Sequence, residues 1–345
     1  MKAVRIYGHG CIDQLRYEEV EQPRLRSVDD VIVKLHAASV NPIDISTRRG
    51  LTPVQVRFPH VLGSDGAGTV VTVGARVNHL TSGDTVTLYP ASGCGRCELC
   101  VTDREHMCVD LRLLGERLYG TYAEYIAVPG RNCFAIPAGL SFEQAAALPV
   151  AYITAWRLLI VNAELKPGEL VLIRDLGSDA TIAALQMAAH ISASVIVSTS
   201  SDDQTGRARN LGAVHVFDDS SGDFVKQVRN FTAKRGVDVV VDCVGGDQWV
   251  QSLACLAKGG RLVTCGATAS IHPRTDIRRI FWNDLKIFGS TLGTREDFRQ
   301  VLNFVKDSGA KPIIDQVFSL KDAASAQQRM AEEKQFGKII LRMGD

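Results

Sequence analysis

Short apolar runs rich in β-branched residues mark the first third of the chain: Val31 to Leu35, Thr69 to Val73 and Thr85 to Leu88, punctuated by Gly63, Gly66, Gly68, Gly74 and Gly83-Asp84. Runs of this length bounded by glycine predict strands joined by tight turns, and together a compact barrel-like β domain. From residue 170 the period changes. Apolar runs at Leu170 to Ile173, Ser194 to Ser198, Val237 to Val241 and Arg261 to Thr264 alternate with stretches of helical spacing near Arg207 to Leu211, Phe224 to Thr232 and Gln248 to Ala257. That alternation predicts a doubly wound α/β domain on a parallel sheet.

The unit from Glu169 to His190 reads as buried strand, tight turn and helix, with Ile182, Leu185 and Ala189 at helical spacing. A dinucleotide site here would carry G-x-G-x-x-G, because glycines let a pyrophosphate reach the backbone N–H groups at the helix N-terminus. Only Gly177 stands in the turn, amid Arg174, Asp175, Ser178, Asp179 and Thr181. The architecture is that of a cofactor site, and its phosphate chemistry is altered.

Composition narrows the function classes. A chain of 345 residues, 46% hydrophobic, buries enough for two domains, and 39 basic against 38 acidic residues give a formal net charge of +1. No run of like charges points to nucleic acid or to an anionic membrane. The start, MKAVRIYGHG, carries no apolar signal core, and a cytoplasmic protein is expected. Nine cysteines, four of them between Cys94 and Cys108, suit metal binding better than disulfides. Cys94, Cys97, Cys100 and Cys108 on a glycine-containing loop can close a tetrahedral shell around one structural zinc per chain. His106, within the loop, is expected to be solvated.

Several strings together resemble the medium-chain dehydrogenase/reductase superfamily, near its zinc-binding alcohol dehydrogenase-like and quinone oxidoreductase branches. They are SVNPIDISTRRG around Asn41, FPHVLGSDGAGTVVTVG, GTYAEYIAVP, AAALPVAYITAW, KPGE, DVVVDCVGG, GGRLVTCG and FGKIILR, in the family's order. The resemblance implies a GroES-like catalytic domain from both ends of the chain, residues 1–124 and 291–345, with a zinc lobe at about 91–112. A Rossmann domain, residues 125–290, is inserted. The four cysteines match the family's structural zinc lobe one for one.

The resemblance also bears on catalysis. Where zinc-dependent members place Cys, His and Cys as catalytic ligands, this chain has Asn41, Ser64 and Val150, so no catalytic metal is expected. Asp44 and Asp65 remain and are expected to form internal ion pairs with a partner such as Arg48. The zinc-free branch reduces conjugated carbonyls with NADPH, and Asn41 and Asp44 fit it. Ser46 stands where that branch commonly has tyrosine, which leaves Tyr89 and Tyr152 as substitutes, each alternatively a core aromatic. Thr154 matches a threonine that contacts the nicotinamide, and Gly177, Ser178, Val244 and Gly266 complete the expected cofactor wall. After the second Rossmann strand no acid stands near Thr199, which favours NADPH over NADH. Ser200, Ser201 and Arg207 could hold a 2′-phosphate against Asp202 and Asp203, or Ser201 could cap a helix whose first turn carries those acids.

Two readings follow: an NADPH-dependent oxidoreductase acting on a carbonyl or enone, with Arg174 compensating for the lost glycines and NADPH bound weakly, or a relative that has given up ordinary cofactor use for non-redox catalysis or binding. The segment Leu285 to Gly293 has the composition of an edge strand, and in family dimers the matching strand pairs across the twofold axis, so a homodimer is expected.

Overall fold

The computed structural model describes residues 1–219, 222–333 and 335–344. The chain forms two units, Met1–Val150 with Thr294–Asp345, and Ala151–Gly293. The changeovers fall at 150 and 293 rather than at 124 and 290. Tyr125–Pro129 pairs antiparallel with Asp30–Ser39, and Cys133–Ala135 pairs with Thr85–Leu88, so ladder hydrogen bonds hold both segments in the first unit.

The first unit is β-rich, as its short apolar runs predict. Its main sheet runs in the order Cys133–Ala135, Thr85–Leu88, Asp65–Val73, Asp30–Ser39, Lys338–Arg342, Ile314–Ser319, with Tyr125–Pro129 joined to Asp30–Ser39. The strand Lys338–Arg342, from the far end of the chain, pairs with Ala37 to Ser39. Val31, Val33, Leu35, Val70, Val86, Leu88, Ile339 and Leu341 pack as one buried cluster. Each such side chain removed from water contributes roughly 1.5–3 kcal/mol.

The second unit has six parallel strands in the order Ala213–Asp218, Ser194–Thr199, Leu170–Ile173, Val237–Val241, Leu256–Thr264, Lys286–Gly289. Numbered along the chain this is 3-2-1-4-5-6, the order of dinucleotide-binding sheets, in which ligands lie beyond the carboxyl ends of strands where the winding reverses. That point falls between Leu170–Ile173 and Val237–Val241. The helix Asp179–His190 follows the first strand and buries Ile182 and Leu185. Ser178 caps it, and Asp179 in its first turn has the sign the helix dipole favours there.

Candidate functional site

The four-cysteine lobe hangs from a two-residue ladder between Ala91–Ser92 and Arg112–Leu113. One ligand atom from each of Cys94, Cys97, Cys100 and Cys108 lies within 4.8 Å of the others. Cys94 Sγ is 3.9 Å from Cys100 Sγ, and Cys97 Sγ is 3.7 Å from Cys108 Sγ. A tetrahedron with zinc–sulfur bonds of about 2.3 Å has edges of about 3.8 Å, so the donors fit that ion. Backbone N–H groups of Arg96 and Cys97 bring the Cys94 thiol down to about 6, toward the thiolate a metal needs. Gly93 leaves room for the set, since a Cβ there would sit 2.6 Å from Cys100 Sγ. His106 is buried, not solvated, because the turn Glu105–Met107 packs inward where Glu105 pairs with Arg295.

The residues at positions 41 and 150 gather around Asp65. Its Oδ2 accepts from Ser39 Oγ at 2.8 Å and Asn41 Nδ2 at 2.9 Å, and its Oδ1 from the Val150 N–H at 3.0 Å. Lys338 Nζ donates to Asn41 Oδ1 at 2.5 Å and lies 3.3 Å from Asp65 Oδ2. Amide, hydroxyl and aliphatic side chains supply no zinc donor set. The positive charge here is an ammonium, buried and paired. Arg48 is not the partner expected for the acids: it donates to Gln327 Oε1 and the Gly10 carbonyl, each at 2.7 Å.

Asn41 caps the helix Pro42–Arg49, and Asp44 Oδ2 accepts the Asn41 N–H at 2.8 Å and the Tyr122 hydroxyl at 3.0 Å. Burial pushes the Asp44 carboxyl up to about 7. The folded chain therefore keeps a proton that the unfolded carboxyl, near 3.9, releases. The stabilisation from that proton is full below about 3.9 and is lost as pH rises through about 7, a slope of about 1.4 kcal/mol per pH unit at most. In Asp44→Asn, which keeps an acceptor for Asn41, the stability difference between pH 5 and pH 8 should shrink. Denaturant titrations at both pH values giving the same difference in variant and parent would refute the assignment.

Ser64 and Tyr89 are both buried. Ser64 Oγ donates to the Leu114 carbonyl at 3.0 Å. Tyr89 is fully buried, with its ring 6.5 Å from that of Phe298, and is a core aromatic. Tyr152, also buried, is bonded to Gln186. Thr154 is buried in the helix Pro149–Trp156.

At the altered glycine turn, side chains of the chain itself occupy the helix N-terminus. Asp179 Oδ1 accepts from the Ala180 N–H at 2.8 Å, Ser178 Oγ from the Thr181 N–H at 3.3 Å, and Thr181 Oγ1 from the Gly177 N–H at 3.4 Å. These are the donors a pyrophosphate would use. Gly177 has φ +158°, and a Cβ on it would lie 2.8 Å from the Gln204 side chain. Asp175 holds φ +50°, a left-handed conformation that glycine adopts without strain. The donors of this turn are already satisfied by the chain's own side chains.

Arg174 cannot swing over this loop. It is fully buried, its Nη2 2.6 Å from Asp219 Oδ1, its Nε 3.2 Å from Ser198 Oγ and its guanidinium 4.1 Å from the Phe224 ring centroid. Ser198 Oγ also accepts the Asp175 N–H at 3.2 Å, so the buried pair holds the loop from beneath.

On the ribose side, Ser201 occupies the cap position of the helix Asp202–Asn210 without a side-chain cap bond. Thr199 Oγ1 bonds Gln204 Oε1 instead and accepts the Ser201 N–H at 3.1 Å. Ser200 is exposed, and Arg207 lies 3.4 Å from Asp203 one turn earlier. The Asp202 side chain lies outside the described residues. Val244 is buried and Gly266 exposed after the fourth and fifth strands. The turn at Val244 is set by Asp242 Oδ1, which accepts from the N–H groups of Val244 and Gly245 at 2.9 Å each. Sequence reasoning missed Lys338 and Tyr122. Both stand in the quoted strings FGKIILR and GTYAEYIAVP, but no local pattern shows that they reach Asn41 and Asp44.

Residues 27–138 match the alcohol dehydrogenase GroES-like domain, and residues 181–335 match the zinc-binding dehydrogenase family. A zinc-type alcohol dehydrogenase-like protein of Schizosaccharomyces pombe is 32% identical over 96% of both chains. The quinone oxidoreductase of Homo sapiens is 25% identical over 99% of this chain and 97% of its own. The crystal structure of an NAD-dependent alcohol dehydrogenase superposes with a TM-score of 0.96 at 35% identity, covering 100% of both chains.

Proposed function

This chain belongs to the medium-chain dehydrogenase/reductase superfamily and is an oxidoreductase; we propose that it reduces a carbonyl or conjugated enone without a catalytic metal. The observation that carries this reading is the cluster of Asn41, Asp65, Val150 and Lys338, in which a buried ammonium supplies the positive charge and no metal donor set exists. NADPH, when bound, supplies the hydride. Asn41, Asp44 and Ser64, all buried and internally bonded, act as positioning residues that shape the site. Thr154, Val244 and Gly266 are the residues on this reading that meet the nicotinamide half, and the absence of a carboxylate at Thr199 favours NADPH over NADH. Assays of NADPH oxidation with an enone or a quinone, alongside alcohol oxidation, test it. Turnover unaffected by added zinc supports the reading, and activity that appears only on loading a further zinc overturns it.

Weak cofactor binding is the second part of the proposal. A carboxylate about 4 Å from a phosphate costs between about 1 and 4 kcal/mol, depending on solvent exposure. Affinity falls roughly tenfold to several hundredfold on that account. Asp179→Gly with Thr181→Gly should recover a comparable factor in calorimetric titration with NADPH, while the parent binds far above the micromolar range. Micromolar affinity in the parent would restore an ordinary reductase. Absence of any binding, with no gain in the variant, would favour a member that has given up cofactor use.

A homodimer completes the proposal. Lys286–Gly289 is an edge strand whose Ile287 is exposed, and Phe281 and Trp282, just before it, are exposed as well. Leu285, by contrast, packs into the core. Ile287→Lys is expected to convert a dimeric mass in light scattering to a monomeric one, and a monomeric parent at micromolar concentration would exclude the dimer.

A further inference from the structure

Two thiols meet at the carboxyl edge of the parallel sheet. Val241 pairs with Val263 in register, and two residues further along each strand lie Cys243 and Cys265. Their sulfurs are 3.1 Å apart, about 1 Å beyond the length of a disulfide bond. Continued backbone bonds keep the two turns together: the Asp242 N–H donates to the Val263 carbonyl at 3.0 Å and the Thr268 N–H to the Cys243 carbonyl at 3.2 Å. Both cysteines are partly accessible, unlike Cys133 and Cys255, which are buried. They lie far along the sequence from the four-cysteine lobe, and nothing in the proposed reduction uses them.

We propose that Cys243 and Cys265 form a redox-active dithiol that small hydroperoxides oxidise to a disulfide. The two sulfurs differ in character. A hydrogen bond from Cys265 draws the Cys243 thiol down toward the thiolate, against burial and the neighbouring carboxylates of Asp242 and Asp179, while Cys265 is held well above the ordinary thiol range. Cys243 is therefore the attacking sulfur and Cys265 the resolving one. The Cys243 thiolate attacks a peroxide oxygen. An S–O bond forms as the O–O bond breaks, and water or an alcohol leaves after taking up a proton. The Cys265 sulfur then displaces hydroxide from the Cys243 sulfenic acid, the S–S bond forms, and the Cys265 proton departs with that hydroxide as water. Two electrons pass from the thiols to the peroxide. The link would tie together the turns after the fourth and fifth strands, beside the point where the winding reverses, so the carboxyl edge of the sheet responds to oxidant.

The test uses the full-length zinc-loaded chain, treated with hydrogen peroxide, alkylated and digested with trypsin. Peptides 236–258 and 262–274 should be recovered joined, about 2 mass units lighter than their reduced sum, and should separate on reduction. Fragment ions distinguish Cys243 from Cys255 in the first peptide. In Cys265→Ser the intermediate has no resolving partner, so dimedone should label Cys243, and Cys243→Ser should leave Cys265 unlabelled. Cys243 that remains fully alkylatable after peroxide, or that joins Cys255 instead, overturns the proposal. Dimedone label on Cys265 in Cys243→Ser, with none on Cys243 in Cys265→Ser, overturns the assignment of roles.

Discussion

Replacement of Cys97 by serine is expected to strip zinc from the four-cysteine lobe and to unfold that lobe, while the Ala151–Gly293 unit stays intact. The segment from Cys94 to Cys108 has little structure of its own: a helix of four residues, Glu98–Val101, and the turn Glu105–Met107. Val101, Met107 and Val109 are exposed, so no apolar core holds it. Apart from the Glu105–Arg295 pair, cohesion must then come largely from the metal. Structural zinc contributes about 10–16 kcal/mol of apparent binding energy in isolated zinc-finger peptides, and most of it appears as folding when no site is preformed. A serine hydroxyl is not a thiolate and leaves three donors. Elemental analysis should find about one zinc per parent chain and close to none in the variant, with new proteolysis confined to about residues 91–112. A parent without zinc, or a variant that keeps about one, would sink this assignment.

Asp219→Ala should destabilise the second unit by about 3–5 kcal/mol, because it leaves the Arg174 guanidinium buried and unpaired. Arg174 has no exposed surface, and the remaining contacts, to Ser198, Ser252 and Gln251, are neutral. A buried pair can be replaced by apolar residues at little loss, so Arg174→Met with Asp219→Leu should lie much closer to the parent than Asp219→Ala does. The chain's three tryptophans, Trp156, Trp249 and Trp282, all lie between Ala151 and Gly293, so their fluorescence in urea reports this unit alone. A loss below about 1 kcal/mol in Asp219→Ala would mean that water reaches the guanidinium and that the loop is not held from beneath.

The Asp219 result bears directly on the altered turn. A loop whose helix N-terminus is satisfied by Ser178, Asp179 and Thr181 needs no bound anion to hold its shape. The pair beneath it fixes the Asp175 N–H through Ser198. These internal bonds are why weak binding and an intact fold are expected together.

Much of the fold was legible in the order of residues, because its signals are local. The strands Leu170–Ile173, Thr85–Leu88 and Val237–Val241 coincide with their apolar runs, and the helix Asp179–His190 carries the Ile182, Leu185 and Ala189 periodicity that predicts it. The spacing of Cys94, Cys97, Cys100 and Cys108 places four sulfurs on one short loop whatever the rest of the chain does. The expectation for Arg174 failed for a physical reason. At the end of a central strand its side chain found Asp219, Ser252 and Gln251 from later segments, and burial with a paired charge removed it from the loop.

What the sequence determined by itself, then, are the features in which a residue's neighbours in the chain are also its partners in space: strand runs, helical periodicity, the thiolate loop and the loss of glycines at the turn. What only the tertiary structure decided are pairings that chain separation hides. Lys338 meets Asn41 across 297 positions because the last strand lies beside Ala37 to Ser39. Tyr125–Pro129 stays with the first unit because its ladder partner is Asp30–Ser39, and Cys243 faces Cys265 because parallel strands bring their carboxyl ends level. Backbone register sets each of these contacts; a strand's own alternation says which face is buried, but which distant strand it pairs with is decided only when the whole sheet assembles.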